Sequence, residues 1–465
     1  MITLLIYALA LLVRLPGLFA PMWYDEVFSW WVRQLPPQKM AAAILGDVHP
    51  PLFYYLLPAG EPWLMRLVPL VFSMLGLWAT MRLACWMFPG KSRAIWAVGL
   101  LYALSPFEVF YATELRMYAA LQFFVLMMLW YMLHREYGKA AGFGMAAAMF
   151  HHFGLVYVAA FAVCSFLWEF AFGEDHDPVF SGLAVTPMAL PFLVTLTNGF
   201  WSQQAAVGAG YWLWRPSVAD FALLWGEFMF GAPSGNPGIT ALVIVLGVLA
   251  LGLVMWHMLR DARPLAVWMM APVVLAFFIS WIFRPVFMAR PLIAIAPMFY
   301  VTLVAAIAAL GRREKWIVAV LAAPVLVGAL VLPNTRAQYL SRINVREVAQ
   351  AVGTLPANAV IYETALYPRI ELEQVWPDAR HIIPPQPGGL GDGYSPQTRA
   401  ALGIEEWSLD ALPTQPDVVV IYDGYFVDGN VMTAARHLVA QQAYRLVYHH
   451  GDGKEPQISV FVRRP

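Results

Sequence analysis

Ionisable residues are rare in the first two thirds of this chain, and they gather in a few short stretches. Trp23-Tyr24-Asp25-Glu26 sets two carboxylates side by side just past an apolar segment that ends near Pro21. Each negative charge raises the proton affinity of the other, and desolvation at an apolar boundary acts in the same direction. That suits a general base working near neutral pH. The competing reading is a solvated loop with two ordinary charges. Further on, Asp47 and His49 precede Pro50-Pro51. The double proline holds the chain extended and fixes where they sit. This pair could bind a divalent ion or hydrogen-bond a sugar, although two ligands do not specify a metal. A third stretch runs from Glu108 through Tyr111, Glu114 and Arg116 to Tyr118. It is expected at the end of one helix and the first turn of the next, where Arg116 favours an anion such as phosphate. Snorkelling to an interface is the alternative for Arg116. The fourth stretch holds Arg284-Pro285 and Arg290-Pro291, again an anion-binding pattern. His151 and His152 could also face the site; the favoured reading places one imidazole at an interface and buries the other with a hydrogen bond.

The elements that carry these stretches follow from composition. Of 465 residues, 60% are hydrophobic and 12% are charged, with mean hydropathy +0.62. A soluble domain carries about 25% charged residues. The long apolar runs therefore belong in a bilayer. Net charge is zero, which excludes the basic footprint of a nucleic-acid binder. Cys85 and Cys164 lie inside apolar runs and read as core residues. Candidate spans are 2–20, 63–88, 94–107, 115–133, 140–150, 154–172, 180–198, 239–259, 264–283, 291–310 and 316–332, about eleven spans in all. The short 140–150 is expected to form a tight pair with its successor, turning at His151–Gly154. The stretch 219–231 is re-entrant or interfacial. Arg14 near the end of the first span either snorkels or faces a site.

Alternate connections are basic: Lys91 and Arg93, Arg135 and Lys139, Arg260 and Arg263, then Arg312, Arg313 and Lys315. Basic connections stay in the cytoplasm. Glu174-Asp175-His176-Asp177 on that side is an acidic exception. All four chemistry-bearing stretches then share the outer face with the tail. The tail reads as a small α/β domain. Helices fit 345–353 and 430–442. Strands fit Ala359 to Tyr362, Val418 to Tyr422, Arg445 to Tyr448 and Ile458 to Val462. The Gly-rich segment 387–391 lacks the spacing of a nucleotide fingerprint and reads as a plain loop. The expected organisation is a mostly α, polytopic helical bundle over 1–332 with a small extracytoplasmic α/β domain over 333–465.

Taken in order, Asp25-Glu26, His49-Pro50-Pro51-Leu52, Tyr111 to Tyr118, the arginine-bearing late connection and Asn344 to Ala349 resemble the GT-C membrane glycosyltransferases. The likeness is to bacterial relatives of the protein O-mannosyltransferases and the lipid A aminoarabinose transferase, and it covers roughly 1–350. Two motifs depart from the usual pattern. Ala112-Thr113-Glu114 stands where Ser-Gln-Glu is common, and Arg290-Pro291 where Arg-Tyr is. The resemblance implies a multi-pass protein of the bacterial inner membrane with its C-terminal domain outside the cytoplasm. It implies a polyprenyl-phosphate-linked sugar as donor and a lipid, glycan or protein as acceptor, with inversion at the anomeric carbon. Asp25 would be the base, assisted by Glu26. Arg116, Arg284 and Arg290 would hold the donor phosphate. Asp47, His49, Glu108, Tyr111, Glu114 and Tyr118 would contact substrate, with a divalent metal ion as a further candidate. Two other classes remain: a lipid-linked sugar transporter or flippase, which would use broken helices and mid-membrane charges, and a non-catalytic member of the same fold.

Overall fold

The computed structural model describes residues 1–20, 22–47, 49–172, 186–197, 201, 213–231, 237–261, 264–310, 345–385, 396–412, 414–423, 429–441, 444–450 and 457–464. The expected span at 316–332, the start of 180–198, the basic cluster at 312–315, the acidic connection at 174–177, the Gly-rich loop and the boundary at Leu332 lie outside them. The chain divides into two compact units. One comprises Met1–Phe19, His49–Phe200 and Leu213–Arg336; the other comprises Ala20–Val48, Trp201–Trp212 and Ala337–Pro465.

The first unit is helical. Its helices are α1 (Ile2–Arg14), α4 (Leu52–Leu56), α5 (Pro62–Met65), α6 (Leu67–Met87), α7 (Ser92–Leu104), α8 (Pro106–Tyr111), α9 (Tyr118–Leu133), α10 (Tyr137–Phe150), α11 (Phe153–Phe172), α12 (Leu190–Thr197), α13 (Val218–Phe230), α14 (Pro237–Asp261), α15 (Pro264–Ile282) and α16 (Ile295–Ala309). Between α1 and α4 the chain forms α2 (Tyr24–Gln34) and α3 (Pro37–Leu45), which belong to the other unit. Among the described residues, Ile2–Phe19, Pro62–Met87, Pro237–Arg260 and Leu265–Ile282 are long and apolar enough to cross a membrane. Shorter apolar helices cover Ser92–Leu104, Tyr118–Leu133, Phe153–Leu167 and Ile295–Ala309. Large apolar side chains face outward along them, including Leu4, Leu12, Leu249, Phe278 and Ile282. A water-facing helix would carry polar residues there, so this is a lipid-facing surface.

Small residues let the helices meet closely, as they must where packing alone drives association. A β-carbon at Gly247 would lie 2.3 Å from the backbone nitrogen of Gly226, so α13 and α14 touch backbone to backbone. A β-carbon at Gly154 would lie 2.4 Å from the nitrogen of Ala148. That close approach forms the tight α10–α11 pair anticipated at the histidine turn. The stretch expected to be re-entrant or interfacial is α13, capped by mutual bonds between Ser217 and Asp220 and ended at Gly231, whose φ is 76°.

The second unit joins three pieces of chain that are distant in sequence. Helices α2 (Tyr24–Gln34) and α3 (Pro37–Leu45) come from the first connection, and the sheet comes from the tail. The tail contributes β1 (Val360–Glu363), β2 (Arg380–Ile383), β3 (Glu405–Glu406), β4 (Val418–Asp423), β5 (Tyr444–His450) and β6 (Gln457–Arg463). Its helices are α17 (Val345–Val352), α18 (Leu366–Leu372), α19 (Pro396–Ala401) and α20 (Gly429–Gln441). The described strands form one sheet in the order β3-β2-β1-β4-β6-β5, parallel from β3 to β4 and antiparallel at β6 and β5. The α/β character matches the expectation. The sequence reading missed β2 and β3: they are short, and Arg380, His381, Glu405 and Glu406 break any apolar run. Alternate residues of β1 feed opposite cores. Ile361 packs with Val348, Leu372 and Trp376, whereas Val360 and Tyr362 pack with Ile382, Leu409 and Leu412.

Candidate functional site

In the helical unit, α9 runs away from one end and α10 returns to it. His151 and the segment before Tyr118 therefore share that end, while Arg135 and Lys139 occupy the other. Six of the polar side chains singled out or weighed in the sequence meet there. Arg116, 4% exposed, places Nη2 3.2 Å from both ring nitrogens of His49. A guanidinium only donates, so the accepting nitrogen is the one without a proton. The His49 ring stands 5.3 Å from the ring of His151, which is 5.7 Å from that of Tyr118. Tyr118 lies 5.5 Å from Tyr111, and the Arg290 guanidinium is 5.8 Å from the Tyr118 ring centre. Two guanidiniums are thus held among aromatic and imidazole rings, an arrangement that accepts an anion by forked hydrogen bonds.

Local structure explains the placement. The Tyr111 to Tyr118 segment is bounded by α8, which opens with Ser105 accepting from the Glu108 backbone and Pro106 at its first position. Glu114 and Arg116 lie in the turn before α9, not in its first turn as expected, because helical geometry begins at Tyr118. The Arg116 backbone nitrogen donates to the Glu114 carbonyl at 2.6 Å, and the Glu114 side chain is buried. Arg290 comes from the connection between α15 and α16. Ser280 Oγ accepts from the nitrogens of Val286 and Phe287 at 2.9 Å, Phe287 packs against Phe221 and Phe277, and Tyr157 donates to the Pro291 carbonyl at 3.1 Å. Arg284 begins the same connection and is half-buried.

Glu108 takes a different direction. Both its oxygens accept from Gln122 Nε2, at 2.9 and 3.0 Å, and Gln122 also donates to the Ile293 carbonyl. Tyr102 bonds Gln122 Oε1 at 2.7 Å and lies beside the Ser73 carbonyl at 2.9 Å. Arg14 is 1% exposed and donates to Ser73 and to the carbonyls of Ala10, Ala103 and Tyr102. It neither snorkels nor faces the Arg116 group; it ties α1, α6 and α7 together. Such a network is favourable only because its buried members have partners.

The remaining predicted residues belong to the other unit. Asp25 and Glu26 stand in the first turn of α2, where exposed backbone N–H groups favour negative charge. Glu26 is buried and accepts from the Trp23 backbone nitrogen at 3.3 Å, so it caps its own helix. Asp25 is half-buried, and its carbonyl accepts from Ser29 Oγ at 3.0 Å. Asp47 is buried just past α3, its backbone bonded to the Ile44 carbonyl at 3.1 Å. Asp47 and His49 are neighbours in sequence but fall in different units. Among the described residues no three His, Cys, Asp or Glu side chains converge as metal ligands.

His151, one of the two histidines that the sequence left open as facing the site, joins the Arg116 group. The buried Arg14–Tyr102–Gln122–Glu108 chain was not legible in the sequence, since isolated polar residues in apolar runs do not declare their partners.

No protein-family model matches the sequence, and no curated protein matches it significantly. Solved structures do. ArnT from Cupriavidus metallidurans in the apo state aligns over 100% of this chain and 99% of its own, at 14% identity and TM-score 0.61. The same protein bound to undecaprenyl phosphate aligns over 98% and 97%, at 14% identity and TM-score 0.58. The Archaeoglobus fulgidus oligosaccharyltransferase, in complex with Zn and sulfate, aligns over 97% of this chain and 79% of its own, at 11% identity and TM-score 0.54. The chain therefore has the fold of the GT-C glycosyltransferases, from the first helix to the sheet domain.

Proposed function

We propose that this protein is a membrane glycosyltransferase that moves a sugar from a polyprenyl-phosphate donor to an acceptor lipid, glycan or protein at the outer face of the bilayer. The observation that carries the reading is the Arg116–His49–His151–Tyr118–Arg290 group at one end of the helical unit. A fold shared over nearly its whole length with a protein bound to undecaprenyl phosphate supports it.

The phosphate diester that joins a polyprenyl chain to a sugar is anionic, and its hydrocarbon tail prefers lipid. A membrane unit with buried guanidiniums meets both needs. Arg116 and Arg290 hold the phosphate, and Arg284 joins them from the same connection. Their hydrogen bonds strengthen as charge collects on the leaving oxygen, so they favour the transition state over the bound donor. The acceptor O–H attacks the anomeric carbon from the face opposite the phosphate, and the carbon–oxygen bond to phosphate breaks through an oxocarbenium-like transition state. The oxygen leaves with polyprenyl phosphate, and the configuration inverts. Asp25 takes the acceptor proton. Glu26, engaged in capping α2, holds the first turn in place. His49, Tyr111, Glu114 and Tyr118 contact the sugar-phosphate, and the C-terminal domain lies outside the cytoplasm. Glu108, bonded to Gln122, supports α8 from beneath.

The test is release of polyprenyl phosphate from a labelled polyprenyl-phosphate sugar in liposomes, with an acceptor extract from the same envelope. Asp25→Asn keeps shape and loses the proton acceptor, so turnover falls about a hundredfold or more while donor binding survives. Parent-like turnover in that variant removes Asp25 from the mechanism. A protein that carries the intact labelled donor across the bilayer and never releases polyprenyl phosphate is a transporter instead.

A further inference from the structure

The helices that carry Asp25 and Asp47 are built into the sheet domain. On α2, Val27 is 1% exposed and packs with Leu366 of α18 and Ile383 of β2, joined by Met22, Trp31 and Ile404. The Arg369 guanidinium of α18 stands 5.0 Å over the Trp31 ring. Arg369 is 3% exposed and is itself fixed by Glu373, at 3.1 Å, and by the Gly403 carbonyl, at 3.4 Å. On α3, the Ala43 carbonyl accepts from Thr398 Oγ1 of α19 at 3.1 Å, and both residues are 0% exposed. More than three hundred residues of sequence separate these partners.

A helix of eleven residues and one of nine are too short to hold a direction unaided. Their orientation comes from what they pack on. The apolar contact at Val27 and the cation–aromatic contact at Trp31 fix two points on α2, which sets the rotation of the helix and so the direction of its first turn. The buried hydroxyl of Thr398 fixes α3 near the end that leads to Asp47. We propose that the C-terminal domain is the seat of the reacting carboxylate: Arg369 and Thr398 are positioning residues that aim the Asp25 and Asp47 segments. This rests on the reading of Asp25 as the base. The proposed phosphate-holding residues belong to the other unit, so disturbing the seat slows the chemical step and spares donor affinity.

The experiment uses the full-length protein in liposomes with the labelled polyprenyl-phosphate sugar. Donor affinity and single-turnover rate are measured separately for Trp31→Ala, Arg369→Gln and Thr398→Val, and for the conservative Trp31→Phe and Thr398→Ser. A misplacement of about an ångström costs about a hundredfold in rate. Trp31→Ala and Arg369→Gln are expected to lose about ten- to a hundredfold in rate with donor affinity within about twofold of the parent, on the same principle. Trp31→Phe keeps the ring and Thr398→Ser keeps the hydroxyl, so both recover most of the rate. A merely structural role would lower the amount of folded protein and leave the rate per folded molecule unchanged, and that result overturns the proposal. So does an equal loss in donor affinity. If Asp25→Asn also turns over normally, it is the base assignment that fails. If Asp25→Asn is inactive while Trp31→Ala, Arg369→Gln and Thr398→Val match the parent, the base stands and the positioning role is refuted.

Discussion

Replacing Arg116 by lysine tests the phosphate assignment most sharply, because it keeps the charge and removes the fork. Arg116 is buried and its Nη2 lies against His49, 3.2 Å from either ring nitrogen. The rest of the guanidinium presents donors in a rigid plane, whereas an ammonium offers a point charge on a mobile stem. Lysine therefore keeps the Coulomb attraction and loses one charge-assisted hydrogen bond, worth about 1.5–3 kcal/mol. At about 1.4 kcal/mol per factor of ten, the transition state loses about ten- to a hundredfold. Part of this loss appears in donor affinity and the larger part in rate, since negative charge on the leaving oxygen peaks in the transition state. The measurement is donor affinity and single-turnover rate for Arg116→Lys and Arg116→Ala, on protein shown to be folded and inserted. His49→Ala is the companion variant: it removes a support and leaves the fork, so it should cost less than Arg116→Ala. Parent-like kinetics in both Arg116 variants would mean that the phosphate binds elsewhere and that Arg116 serves packing. A loss in Arg116→Ala fully restored by lysine would mean that charge alone acts and that the forked geometry is irrelevant.

Sidedness follows from the basic connections. In a chain with Cys85 and Cys164 replaced, a single cysteine at exposed Lys139 and one at exposed Leu446 should react with an impermeant reagent from opposite sides of the membrane; reaction from the same side refutes the orientation. A pH dependence belongs to the sheet domain, where His381 Nδ1 lies 2.6 Å from Glu363 Oε1. Burial works against the charged imidazole, but the Glu363 carboxylate, by charge and by hydrogen bond, together with the Trp376 carbonyl, outweighs it, and the His381 pKa is raised. The pair's stabilisation is therefore full below the unfolded value of about 6.5 and is lost as pH rises through the higher folded value. Hydrogen exchange at β1 and β2 should accelerate as pH rises through that window beyond its intrinsic pH dependence, and His381→Gln should abolish the excess; an unchanged excess would exclude the pair as its source.

Much of this was legible in the sequence. Spanning segments declare themselves because the bilayer demands about twenty apolar residues in a row, a one-dimensional requirement. The same apolar background makes ionisable residues conspicuous, which is why His49, Arg116, Tyr118 and Arg290 could be named before any contact was known. The tight α10–α11 pair was legible too, since a short apolar run beside Gly154 has one compact solution. Tertiary structure decided the rest. Whether a buried polar residue meets substrate or another helix depends on rotation about the helix axis, and no local pattern encodes that. Arg14 and Glu108 turned into the bundle network through Tyr102 and Gln122, while His151 turned toward His49. The first connection carried no mark that it would pack on a domain hundreds of residues away. Val27 finds Leu366, Trp31 finds Arg369 and Ala43 finds Thr398 only after the sheet has formed. Those are contacts between surfaces that each exist only in the fold, so composition and spacing could name the carboxylates but not what holds them.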